Sequence, residues 1–126
     1  MVYNTRRISA LALCLIYDEE QKMAGMSKSD GDAFMAEYGA FTASVKSSGH
    51  YLGGEALQPV QTATTIRSRN GKVSTTDGPF AETKEQLGGF YLIEAKDLND
   101  AIQVASRIPS VKTGSIEVRP IMVFNQ

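Results

Sequence analysis

The sequence predicts a single α+β domain, and three observations carry that expectation. Short runs rich in β-branched and apolar residues are separated by two segments of helical periodicity. The 126 residues, 42% of them hydrophobic, suffice for one compact core and are too few for two ordinary domains. The elements fall in the order β-α-β-hairpin-β-α-β, the ferredoxin-like split βαβ pattern with an inserted β-hairpin.

Residues 1–9 show no periodicity and read as a loose extension, leaving residues 10–126 as the single domain. Leu11 to Tyr17 is nearly continuous apolar sequence bounded by acids, as expected of a strand covered on both faces. Ser27 or Ser29 can cap a helix with Asp30 or Asp32 three residues on, and Phe34, Tyr38, Phe41 and Val45 recur at helical spacing until Gly49. Tyr51 to Leu57 is a second strand, ended by Pro59. Thr62–Arg69 and Lys72–Thr76 flank Asn70-Gly71, a strong hairpin signal because both turn residues tolerate positive φ. A two-residue turn sets Arg69 opposite Lys72, Ile66 opposite Thr75 and Thr64 opposite Asp77. Phe90 to Ala95 is a strand whose Phe90 and Ile93 are expected to be buried. Asp97 and its neighbours cap a helix carrying Leu98, Ala101, Ile102, Ala105 and Ile108 before Pro109 stops it, and Ser115 to Phe124 closes the chain as a strand.

Thirteen Lys and Arg against fourteen Asp and Glu leave a net charge of −1, so no basic field draws the chain to nucleic acid or an anionic membrane. The lone Cys14 sits in an apolar run and fits a reducing, cytoplasmic setting. That run falls short of the roughly 20 residues that span a bilayer. Arg6-Arg7 before it does not make a secretory signal, because Tyr17-Asp18-Glu19-Glu20 follows in place of a small-residue cleavage site.

A sheet with helices on one face must bury its other face against a partner or a ligand, which points to a homodimer with a small-molecule cleft between two sheets. Asp77, held after the hairpin by Gly78-Pro79, is a candidate base at the rim; it could equally accept backbone N–H groups in its own turn. Pro79 biases Gly78 toward extended geometry. His50, the one histidine, suits general-base work near neutrality or, more plainly, ends the first helix. Glu55, a carboxylate inside a strand, either pairs with Arg67 or Arg119 or acts on a ligand. Glu82 follows the turn most closely in a mixed-charge linker, and Gly88-Gly89 permits a bulge or a close backbone approach. No spacing suits a metal, and none suits a nucleotide cofactor.

Asp77-Gly78-Pro79-Phe80 through Glu94, Tyr51–Pro59, Thr62-Ala63-Thr64-Thr65, Gly71-Lys72-Val73 and Gly114–Ile121 together resemble the DGPF-domain family, a branch of the YCII-related proteins. The likeness runs over roughly residues 11 to 124. It implies a dimeric α+β barrel. In the wider superfamily the proposed site is a His-Asp pair with the histidine on the first helix; this chain has no histidine between Ser27 and Ser48, so that pair does not transfer as it stands. Two functions are compatible with the resemblance. One is a cofactor-free lyase or isomerase working by proton transfer, as a dehydrochlorinase in the YCII-related group does. Asp77 or His50 would then be the base, Arg119 or Arg67 the anion holder and Tyr91 the group that orients the substrate. The other is a non-catalytic accessory dimer that binds a ligand or protein and is linked to sigma-factor regulation.

Overall fold

The computed structural model describes residues 10–124, so the expected extension at 1–9 lies outside the described residues. The chain runs β1 (Ala10–Asp18), α1 (Glu20–Ala24), α2 (Lys28–Ser47), β2 (Tyr51–Ala56), β3 (Thr64–Arg69), β4 (Lys72–Asp77), β5 (Gln86–Ala95), α3 (Leu98–Ala105) and β6 (Ser115–Pro120). Single 3-10 turns lie at Val60–Thr62 and Pro109–Val111. Four strands form an antiparallel sheet in the order β2-β5-β1-β6, and β3 and β4 form a separate two-stranded sheet. That order is compatible with a ferredoxin-like α+β fold.

Side-chain alternation divides the large sheet into a covered and an uncovered face. Ala12, Cys14 and Ile16 of β1 and Tyr91, Ile93 and Ala95 of β5 are buried against Phe41 and Val45 of α2, Ala101, Val104 and Ala105 of α3, and Ile108. Leu11, Leu13 and Leu15 share the other face with Phe90 and Leu92, their cross-strand neighbours, and stay half-buried because neither helix reaches them. β1 is therefore covered on one face, where its apolar run led to an expectation of two. Phe90 and Ile93 likewise part company: three residues apart on a strand, they point to opposite faces, so Ile93 is 0% exposed while Phe90 is half-buried.

The local signals act where expected. Ser27 accepts the Asp30 N–H and caps α2, and Asp97 accepts the Asp100 N–H and caps α3. Gly49, at φ 84°, ends α2 in a Schellman turn, with the His50 N–H on the Val45 carbonyl and the Gly49 N–H on the Lys46 carbonyl. Asn70 and Gly71 both have positive φ, and the hairpin pairs Thr64 with Asp77, Ile66 with Thr75 and Arg69 with Lys72. Gly78 departs from the extended geometry expected before Pro79: its φ is 100°, a conformation that glycine supplies without steric cost. β5 begins four residues earlier than expected, at Gln86, and its register with β1 shifts so that Gly88 is the extra residue of a bulge. β6 ends at Pro120, although the Ile121 N–H still bonds the Leu11 carbonyl. The five-residue α1 is too short to show a period.

Replacing Ile93 by Ala removes a side chain with no solvent exposure and is expected to lower stability by about 2–5 kcal/mol in urea denaturation. Lys84→Ala, at an exposed position, should change it by no more than about 0.5 kcal/mol.

Candidate functional site

The twenty-residue α2 fully buries only Phe41 and Val45, both in its C-terminal half. Its N-terminal half stands off the sheet, and a groove of about 1670 Å³ opens between it and the β2–β5 side. Phe34, Tyr38, Thr42 and Lys46, four residues apart on α2, form one wall. Tyr51, Gly54, Gly89 and Tyr91 form the floor opposite, and α1 and residues 82–84 close the ends. The floor is low because two of its positions admit no side chain. A Cβ on Gly54 would lie 2.8 Å from the Phe90 carbonyl oxygen and 2.9 Å from the Tyr91 ring, and one on Gly89 would lie 2.8 Å from the Glu55 carbonyl oxygen.

Two hydroxyl pairs cross beneath α2. The Tyr91 and Thr42 hydroxyls are 2.6 Å apart, and so are those of Tyr38 and Ser110. Burial pushes both phenols above their ordinary pKa, so they remain neutral and offer hydrogen bonds without charge near pH 7. The rings form edge-to-face contacts on both walls: Phe34 with Tyr38 at 5.3 Å, and Tyr51 with Tyr91 at 6.2 Å. Lys46 lies 5.0 Å from the centre of the Tyr51 ring.

Most carboxylates around the groove already have partners. Asp18 accepts the Thr113 hydroxyl, Glu19 pairs with Lys22 at 3.1 Å, and Glu20 accepts the Val60 N–H at 3.0 Å. Glu82 has no hydrogen-bond or ionic partner among the described residues, and it lines the groove. Glu55 also borders it, but its register opposite Phe90 turns its side chain toward the helix-free face, so its contribution lies at the rim of the edge strand.

The structure thus brings Glu55, Glu82 and Tyr91 to one groove and leaves the other candidates elsewhere. Glu55 makes no ion pair with Arg67 or Arg119 among the described residues. Arg67 donates to the Phe80 carbonyl at 3.2 Å, and Arg119 is bound to Glu117, which raises its pKa. Asp77 ends the exposed β4, and its carboxylate accepts no hydrogen bond among the described residues, so the Asx-turn alternative is not realised. His50 lies beyond the groove. Its Nδ1 is 2.7 Å from Ser48 Oγ and its Nε2 is 3.0 Å from Asp100 Oδ2, so the ring ties the end of α2 to the start of α3 while the backbone satisfies the last helical carbonyls. Among the described residues no three His, Cys, Asp or Glu side chains gather as metal ligands. Burial pushes the Cys14 thiol up to about 11, which suits an inert core residue. Thr42, Ser110 and Phe34 were missed as site residues; the one sequence signal was a hydroxyl at position 42, four residues after Tyr38 and eight after Phe34.

Hydrogen bonds from the Lys96 N–H and from His50 hold the Asp100 carboxyl below its ordinary 3.8. A carboxylate with a depressed folded pKa contributes stability above its unfolded value and loses it as pH falls through the folded one. Asp100→Asn should therefore lower the melting temperature at pH 7, and the difference from wild type should shrink as pH drops below 3.8. A pH-independent difference would show that the charge is not what stabilises the pair.

The YCII-related domain model matches residues 10–125, nearly the whole chain. An uncharacterized protein of Rhizobium meliloti (strain 1021) is 36% identical over 112 residues, covering 87% of this chain and 90% of that one. The chain belongs to the YCII-related family.

Proposed function

We propose that this YCII-related protein binds a small organic molecule in the groove between α2 and the sheet and acts on it by cofactor-free proton transfer. The observation that carries the reading is the convergence on one groove of two neutral phenols and of Glu82, a carboxylate without a partner among the described residues. Tyr38 and Tyr91 suit polarisation of a carbonyl or enolate oxygen, and Glu82 suits removal of the neighbouring proton. The site is thus assigned within one protomer, beneath α2, in place of a cleft between two sheets. His50, Asp77, Arg67 and Arg119 have no part in it.

The Asp77–Phe80 turn aligns the chain with the DGPF branch of the family. The half-buried row Leu11, Leu13, Leu15, Phe90 and Leu92 on the helix-free face supports a homodimer in which two sheets stack as an α+β barrel. Among the described residues no helix is long and apolar enough to cross a membrane, and a buried reduced Cys14 fits a cytoplasmic protein.

Sedimentation at micromolar concentration should give a dimer for wild type and a monomer for Leu13→Glu; a wild-type monomer would remove the barrel from this reading. Incubation with a metabolite extract in deuterated water, followed by mass spectrometry, should show a captured compound that gains deuterium on carbon. Glu82→Gln should still capture it and no longer label it. Undiminished labelling in that variant would assign the base elsewhere, and a captured but unlabelled compound in wild type would leave binding without catalysis.

A further inference from the structure

We propose that the groove accepts a flat ring compound that is neutral or positively charged; this rests on the groove being the ligand site. The shape argument begins with the two walls. The helix wall presents Phe34 and Tyr38 in one edge-to-face pair, and the sheet wall presents Tyr51 and Tyr91 in another. Aromatic rings favour other rings through stacked and edge contacts beyond what burial alone supplies. Between these walls, part of the floor carries no side chain. Gly54 and Gly89 line the floor without a side chain, because a Cβ at either would strike the paired strand.

Above that floor α2 contributes Gly39, in mid-helix, where glycine weakens the helix and where a Cβ would meet nothing within 4 Å. A space with aromatic side chains on both walls and a floor kept low at Gly54 and Gly89 admits a thin molecule along its plane, and it offers a thick saturated one poorer contact.

The charge argument is independent of the shape. Asp18, Glu19, Glu20 and Glu82 line the groove, with Glu55 at the rim. Among the described residues Lys46 and Lys84 are its only lining cations, and Lys46 is already engaged with the Tyr51 ring. The arginines that could hold an anion, Arg67 and Arg119, do not line the groove. An anionic ligand would therefore enter against the local field, and a cation with it.

Three probes that differ in one property each test the proposal by calorimetry: 2-naphthylmethylamine, its decahydro analogue and 2-naphthoate. The flat amine should bind wild type at least about tenfold more tightly than either of the others. Gly39→Leu should weaken that binding by about tenfold or more without lowering the melting temperature, since leucine is the better helix former. Equal binding of the saturated amine would overturn the ring requirement, and equal binding of the naphthoate would overturn the charge preference, with the groove reading intact in both cases. If no probe binds wild type, or Gly39→Leu leaves binding unchanged, the groove is not the ligand site and this inference falls with it.

Discussion

A tyrosine buried in the middle of a strand must place its ring among apolar neighbours and still satisfy its hydroxyl. Tyr91 does both at the line where α2 meets the sheet. Its ring lies edge-on to Phe41 at 5.1 Å, and its hydroxyl reaches Thr42, the next residue of the helix. That fixes how closely α2 can approach β5 at this turn. Phe41 and Val45 are the only residues the helix fully buries, Tyr38 adds a partly buried contact with the core, and none of the three lies in its first half. Gly54 completes the arrangement from the other side, because any Cβ there would collide with the Tyr91 ring. The groove is thus a by-product of how one phenol is housed.

The large sheet has a second consequence built into its alternation. Small residues, Ala12, Cys14 and Ala95, take helix-facing positions, which lets α3 sit close with Ala101 and Ala105. The bulkier leucines of β1 go to the other face. In β1 the larger side chains thus lie mostly on the face left open, and that part of the chain's apolar surface is not used by its own helices. Polar groups flank it: Glu117 and Arg119 of β6 pair with each other opposite Leu15 and Leu13. The same face is therefore apolar across β1 and β5 and charged along one edge.

The elements governed by neighbours in sequence were legible. Ser27 and Asp97 as caps, Gly49 as a helix stop and Asn70-Gly71 as a hairpin turn each act within a few residues, and each does in the structure what its chemistry dictates. The separation of Phe90 from Ile93 was also available, since an odd spacing on a strand cannot serve one face. The groove was not legible, because it depends on which strand lies beside which. Gly88-Gly89 could be read as a bulge, and Gly88 is one; that Gly89 and Gly54 together keep a floor clear follows only from the pairing of β2 with β5. Asp77 and His50 stand out in the sequence because they can titrate, whereas Thr42 and Ser110, which have no charge to announce them, lie at the groove.

The β3–β4 hairpin stands apart from all of this. Every residue of β4 is exposed, Ile66 and Val73 among the most exposed apolar side chains, and the pair of strands is joined by no ladder to the large sheet. A two-stranded ribbon of this kind is marginally stable on its own, so its opening is not tied to the unfolding of the core. Its amides belong to the fast end of hydrogen exchange while those of β1 and β5 belong to the slow end. The tip at Asn70-Gly71 is consequently a place where the chain can be lengthened, cut or rejoined, with the cost confined to a dozen residues and the remainder of the fold indifferent to it.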